Sequence, residues 1–77
     1  MQITIKYFGQ IAEVTKRNEE TMSFSKLLVS ELLNHLFIKY PMLKNRSFTI
    51  AQNQELVADN TELTGEEIAL LPPFAGG

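Results

Sequence analysis

Leu28-Val29-Ser30-Glu31-Leu32-Leu33-Asn34-His35-Leu36-Phe37-Ile38-Lys39-Tyr40-Pro41 is the stretch whose period decides the fold. Leu28, Leu32, Leu33, Leu36, Phe37 and Tyr40 recur at spacings of three and four, which makes one face of an amphipathic helix apolar. Ser25 or Ser30 is the expected N-cap. Pro41 stops the helix at Tyr40, because the residue before a proline is driven out of the helical region.

On the N-terminal side the period changes to two. From Gln2 to Phe8, Ile3, Ile5 and Tyr7 alternate with Gln2, Thr4 and Lys6, as in a half-buried strand, and Phe8 breaks the pattern by falling on the polar face. Gly9 ends this strand, and Ile11 and Val14 suit a brief helix over 10–15. The charged run Lys16 to Glu20 reads as a solvated loop. Thr21 to Phe24 alternates again, close enough to the first strand to form a hairpin with it.

On the C-terminal side, Phe48 to Gln52 is a predicted strand, Asn53-Gln54 a turn, and Glu55 to Val57 a short return strand. Leu63 is expected to plug the core from a loop. Thr64-Gly65-Glu66-Glu67 is a turn, followed by Ile68 to Leu71, an almost wholly apolar strand of the kind buried mid-sheet. One long helix covers one face of one sheet. The predicted class is therefore α+β: a mixed four- to five-stranded sheet with one main helix packed across it, the β-grasp or ubiquitin-like arrangement once the first and last strands pair in parallel.

Composition narrows what such a domain does. At 77 residues, with 44% apolar and 21% charged residues, the chain is a single small folded domain with modest stability of its own, so a partner is expected. A formal net charge of -2 with no basic stripe weighs against nucleic acid, and the absence of a long apolar segment weighs against a membrane and favours the cytoplasm. Cysteine is absent, which removes disulfides, thiolate metal sites and thiol nucleophiles. His35 has no second His or Cys to make a metal site, and Glu66 and Glu67 are adjacent acids that point apart, so no metal ligand or catalytic pair is assigned.

The last residues carry the chemistry. After the strand, Pro72 and Pro73 cannot donate to a sheet ladder and hold the chain extended, so 1–71 is the folded domain and 72–77 an extended, flexible tail. At about 3.3 Å per residue that tail reaches roughly 20 Å, enough to enter another protein's active site. Phe74 is an anchor for an apolar pocket, while Ala75, Gly76 and Gly77 pass a narrow channel. A terminal carboxylate becomes reactive only once activated. Adenylation at Gly77 followed by attack of a sulfur nucleophile would leave a thiocarboxylate, a reactive sulfur that needs no cysteine.

The whole chain, in length and element order, resembles the MoaD family of molybdopterin synthase sulfur carriers, and Ile68-Ala69-Leu70-Leu71-Pro72-Pro73-Phe74-Ala75-Gly76-Gly77 is similar to that family's C-terminal signature. Phe74 stands where the family often has Val. The resemblance implies a chain that is no enzyme by itself and binds no permanent cofactor. An E1-like enzyme would consume ATP to adenylate Gly77, and a sulfur donor would then form the thiocarboxylate. The large synthase subunit, in a heterotetramer of two small and two large subunits, would accept the tail and pass sulfur to cyclic pyranopterin monophosphate. Phe8 and Leu71, out of phase with the core positions of their strands, are candidates for an exposed docking patch. The rival readings are a sulfur carrier for thiamine synthesis, a ubiquitin-like modifier that couples Gly77 to lysines, and a binding module with an inert terminus.

Overall fold

The computed structural model describes residues 1–73. Five strands form one sheet in the order β2-β1-β5-β3-β4. They are β1 (Gln2–Tyr7), β2 (Glu19–Ser23), β3 (Thr49–Gln52), β4 (Glu55–Val57) and β5 (Glu67–Leu71); helices α1 (Gln10–Thr15) and α2 (Val29–Lys39) and a 3-10 turn (Pro41–Asn45) complete the chain. β1 and β5 run parallel in the middle, and every other pairing is antiparallel. This is the β-grasp arrangement, with the last strand inserted between the first and the third.

The alternation read in β1 is the alternation that folds. Ile3, Ile5 and Tyr7 are buried, and the register places Ile68 and Leu70 of β5 beside them and Ile50 of β3 beyond. Leu32 and Leu36 of α2 close this face, joined by Val29, Ile11 and Leu43. Each such aliphatic side chain contributes about 1.5–3 kcal/mol on leaving water. Leu63 enters from the loop before β5, as expected, and the buried amide of Gln52 fastens that loop: its Nε2 donates to the Glu62 carbonyl and its Oε1 accepts from the Thr64 N–H, both at 3.0 Å.

Asn53 and Gln54 both take positive φ, 53° and 71°, the backbone of a two-residue hairpin turn whose twist matches the strands it joins. Gly65 sits at φ 86° in the turn before β5.

Three boundaries depart from the sequence reading. Neither Ser25 nor Ser30 caps α2; Leu28 holds the N-cap position, and the exposed N–H groups find tertiary partners instead. Val29 donates to the Thr61 carbonyl and Ser30 to the Asp59 carbonyl, at 2.9 and 2.7 Å, while the Glu31 carboxylate accepts from the N–H groups of Leu27 and Leu28. Orphan donors at a helix start need acceptors of any origin, and here the 58–62 loop supplies them. Secondly, β2 begins at Glu19, so the charged run 16–20 is only partly loop, and Glu20 is buried. Thirdly, Phe48 precedes β3 and packs against the core from outside the sheet.

Candidate functional site

The parallel pairing of β1 with β5 sets the geometry of the site. Both strands end at the same rim of the sheet, where Phe8 donates its N–H to the Leu70 carbonyl at 3.3 Å, and the chain leaves β5 there as Pro72-Pro73. The tail therefore starts from the middle of the sheet, flanked by β1 and β3. Its first residue, Pro72, is half-buried and Pro73 exposed; Phe74, Ala75, Gly76 and Gly77 lie outside the described residues.

The face of the sheet opposite α2 holds the odd positions of β5 and the even positions of β1. Register places Lys6, Ala69, Ala51 and Leu56 in one row across it, with Leu71 and Thr49 in the next row towards the tail. Phe8, continuing the alternation of β1, falls beside Leu71. The two residues singled out from the sequence are thus brought together at the foot of the tail. Phe8 is 44% exposed and Leu71 half-buried.

The sequence reading missed the rest of this surface. Leu56, 67% exposed, extends it to β4, and Ala51 and Ala69, paired in register, form a flat floor between the larger side chains. Only strand order reveals the grouping, because these residues are far apart along the chain. At the end away from the tail, Lys6 Nζ meets Glu67 Oε2 at 3.1 Å, an exposed ion pair that gives the apolar track a charged border. Glu67 is committed to Lys6 and Glu66 is not part of that pair, so the two acids form no catalytic couple.

Beneath the same rim, on the helix side, lies a polar cluster. Glu20 Oε2 accepts from the Tyr7 hydroxyl at 2.5 Å and the Tyr40 hydroxyl at 2.6 Å, and Oε1 accepts from Lys39 Nζ at 2.6 Å, with Arg17 Nη1 at 3.5 Å. Burial alone would push the Glu20 carboxyl up; the hydrogen bonds from Lys39, Tyr40 and Tyr7 outweigh it and hold the pKa at about 2. Burial first, and then Glu20, push both tyrosine hydroxyls up, so they remain donors. The cluster ties β2, the end of β1 and the C-terminal end of α2 together. Every acceptor site is occupied from within the chain, which makes it a brace and not a reactive centre.

His35 is exposed against the Phe24 ring, with centroids 5.7 Å apart. Among the described residues no group of three or more His, Asp or Glu is placed to hold a metal ion, and no helix is long and apolar enough to cross a membrane. What the arrangement offers is the exit of the central strand β5 into Pro72-Pro73 beside a partly apolar face.

Comparison with known proteins points the same way. The model of a family described as the ThiS family matches residues 5–77. The chain is 35% identical to the molybdopterin synthase sulfur carrier subunit of Chlamydomonas reinhardtii, aligned over 100% of both chains. A solved structure from Pyrococcus furiosus, described as a putative molybdopterin converting factor subunit 1, superimposes with a TM-score of 0.87, covering 96% of this chain and 99% of its own at 19% identity; it supports the fold alone. A structure of the complex of subunits 1 and 2 of the molybdopterin-converting factor of Helicobacter pylori contains a chain 28% identical, at a TM-score of 0.72 over 100% of both.

Proposed function

The chain belongs to the ThiS family, and on that premise we propose that it is the sulfur carrier subunit of a molybdopterin synthase, with Gly77 as its working end. The observation that carries the reading is the exit of the central strand β5 into Pro72-Pro73 beside an open apolar face, in a chain aligned end to end with a sulfur carrier subunit. A carrier needs two things: a terminus that reaches into another protein and a surface that holds the two together meanwhile.

In this reading an E1-like enzyme adenylates the Gly77 carboxylate with release of pyrophosphate. A sulfur nucleophile then displaces AMP and leaves a thiocarboxylate. The absence of side chains at Gly76 and Gly77 keeps the carbonyl open to both steps. The charged carrier docks its open sheet face on the large subunit. The thiocarboxylate sulfur bonds to a carbon of cyclic pyranopterin monophosphate, and water then cleaves the Gly77 C–S bond, leaving the sulfur on the pterin and the carrier as the carboxylate. Catalytic side chains belong to the large subunit; this chain supplies the sulfur and the address. The resemblance further implies a heterotetramer of two small and two large subunits, working in the cytoplasm. The Helicobacter pylori complex of the two converting-factor subunits supports a large-subunit partner.

Intact-mass spectrometry after incubation with ATP, an E1-like enzyme and a sulfur donor tests the proposal. The expected result is the mass gain of one sulfur replacing one oxygen, localised to Gly77 and lost when Gly76 and Gly77 are deleted. The gain must then disappear on addition of the large subunit and its pterin substrate. No gain, with an activating enzyme that charges another carrier, would reject the reading. Recovery of Gly77 in amide linkage to lysine amines would identify a protein modifier instead.

A further inference from the structure

The contact at the foot of the tail involves a residue that neither the motif nor the docking face includes. Gly9 adopts φ 54° and ψ -131°, a combination open to glycine and strongly disfavoured for residues with a side chain. It is held there from both sides. Phe8 before it donates to Leu70 of β5, and the Gly9 carbonyl accepts from the N–H groups of Ala12 and Glu13 in α1, at 3.1 and 3.4 Å. Against the space where a Cβ would stand lies the ring of Pro72: a Cβ on Gly9 would sit 3.0 Å from Pro72 Cγ, 3.7 Å from its Cβ and 3.8 Å from its Cδ. The first residue of the tail therefore rests on a backbone that has no side chain and is fixed by its own hydrogen bonds.

We propose that Gly9 is a positioning residue for the transfer reaction: the bare Gly9 backbone seats the Pro72 ring and so sets the direction in which the tail leaves the sheet. The inference rests on the sulfur-carrier reading above. Its physical force is leverage. Five residues follow Pro72, so when a partner's channel holds them extended at about 3.3 Å each, a swing of about 15° at the base moves the end by about 4 Å. The sheet face and the first residue of the tail keep a fixed relation only if this joint is held. With Pro72 lifted off its seat, a carrier docked in the correct place presents its sulfur in the wrong one.

The test is a double-mutant cycle on full-length, thiocarboxylated carrier with the large subunit and cyclic pyranopterin monophosphate. Single-turnover sulfur transfer and the dissociation constant of the two subunits are read separately. Gly9→Ala should bind with an unchanged dissociation constant yet transfer sulfur at least about tenfold more slowly, within the roughly hundredfold loss that a 1 Å misplacement of a reacting group can cause. Pro72→Ala should slow transfer about threefold, because the seat loses its occupant. Gly9→Ala added to Pro72→Ala should then slow transfer by much less than it does alone, leaving only the share due to backbone strain at Gly9. Equal slowing by Gly9→Ala in both backgrounds, or wild-type transfer by Gly9→Ala, would overturn the inference. If Gly9→Ala does not fold, Pro72→Ala decides, and transfer at the wild-type rate sinks the proposal. A wild-type carrier that is charged but passes no sulfur would instead overturn the function, and this inference with it.

Discussion

The two faces of the single sheet are built from the same strands and differ in every other respect. The helix side carries Ile3, Ile5, Tyr7, Ile50, Ile68 and Leu70, branched or aromatic side chains that α2 seals from water. The open side carries Ala51 and Ala69 at its centre, with Leu56, Leu71 and Phe8 around them and the Lys6–Glu67 pair at its border. Large side chains fill the volume under a helix and contribute to folding. Small ones between larger ones leave a flat, partly apolar surface against which another protein can close. The folding energy thus sits on the helix face, the other face is the proposed docking side, and β5 runs into Pro72-Pro73 where both end.

Substitutions separate the faces in order of effect. Leu32→Ala, under the helix, removes a fully buried side chain and should cost about 3–4 kcal/mol by urea denaturation, the range for leucine cavities that close only in part. A loss below about 1 kcal/mol would mean that this face is not the folding core.

Glu20→Gln should cost about 2–3 kcal/mol, since it removes a buried charge that three donors serve. The pH dependence has a definite sign. The folded-state pKa of Glu20, about 2, lies below its ordinary 4.5, so its stabilising share is present above pH 4.5 and disappears as pH falls from there towards 2. That share is about 3 kcal/mol at most. Wild-type stability should fall through this window by more than that of Glu20→Gln, and parallel curves would remove the brace from the account.

Phe8→Ala, on the open face, should change stability by less than about 0.5 kcal/mol. Its effect belongs to binding: the dissociation constant for the large subunit should rise about tenfold, as for an aromatic anchor at an interface. Calorimetric titration checks it, and an unchanged constant would move the docking surface elsewhere. Lys6→Ala should do least. Its exposed pair with Glu67 is worth about 0.2–1 kcal/mol, and its removal should be seen mainly as a weaker salt dependence of association.

How far each feature was legible depends on the distance over which its cause acts. Hydrophobic period is local, so the strand from Gln2, the helix ending before Pro41, the turn at Asn53-Gln54 and the last strand were all readable to within a few residues. The cap of α2 was not. Ser25 and Ser30 are good capping residues, but the loop at 58–62 reached the helix start first, and nothing in the local sequence records that approach. Glu20 was misread for the same reason. A glutamate in a run of charges looks solvated until pairing sets it opposite Ile5 and the fold brings Tyr7, Tyr40 and Lys39 to its oxygens.

The candidate site divides along the same line. The succession of an apolar strand, two prolines and residues with almost no side chain is contiguous, so the sequence by itself was enough to single out 72–77 as the candidate site. Phe8 and Leu71 were detectable because each breaks the phase of its own strand. Leu56, Ala51 and Ala69 lie on the same outer side of their strands, and they join Phe8 and Leu71 in one face only through the order β1-β5-β3-β4. Gly9 is the sharpest case: a glycine after a strand reads as a terminator, and its contact with Pro72 spans almost the whole chain. Local periodicity and backbone stereochemistry act within a few residues and are written in the sequence. Strand order, register and close approach are settled by the packing of all elements at once, and only the tertiary structure decided them.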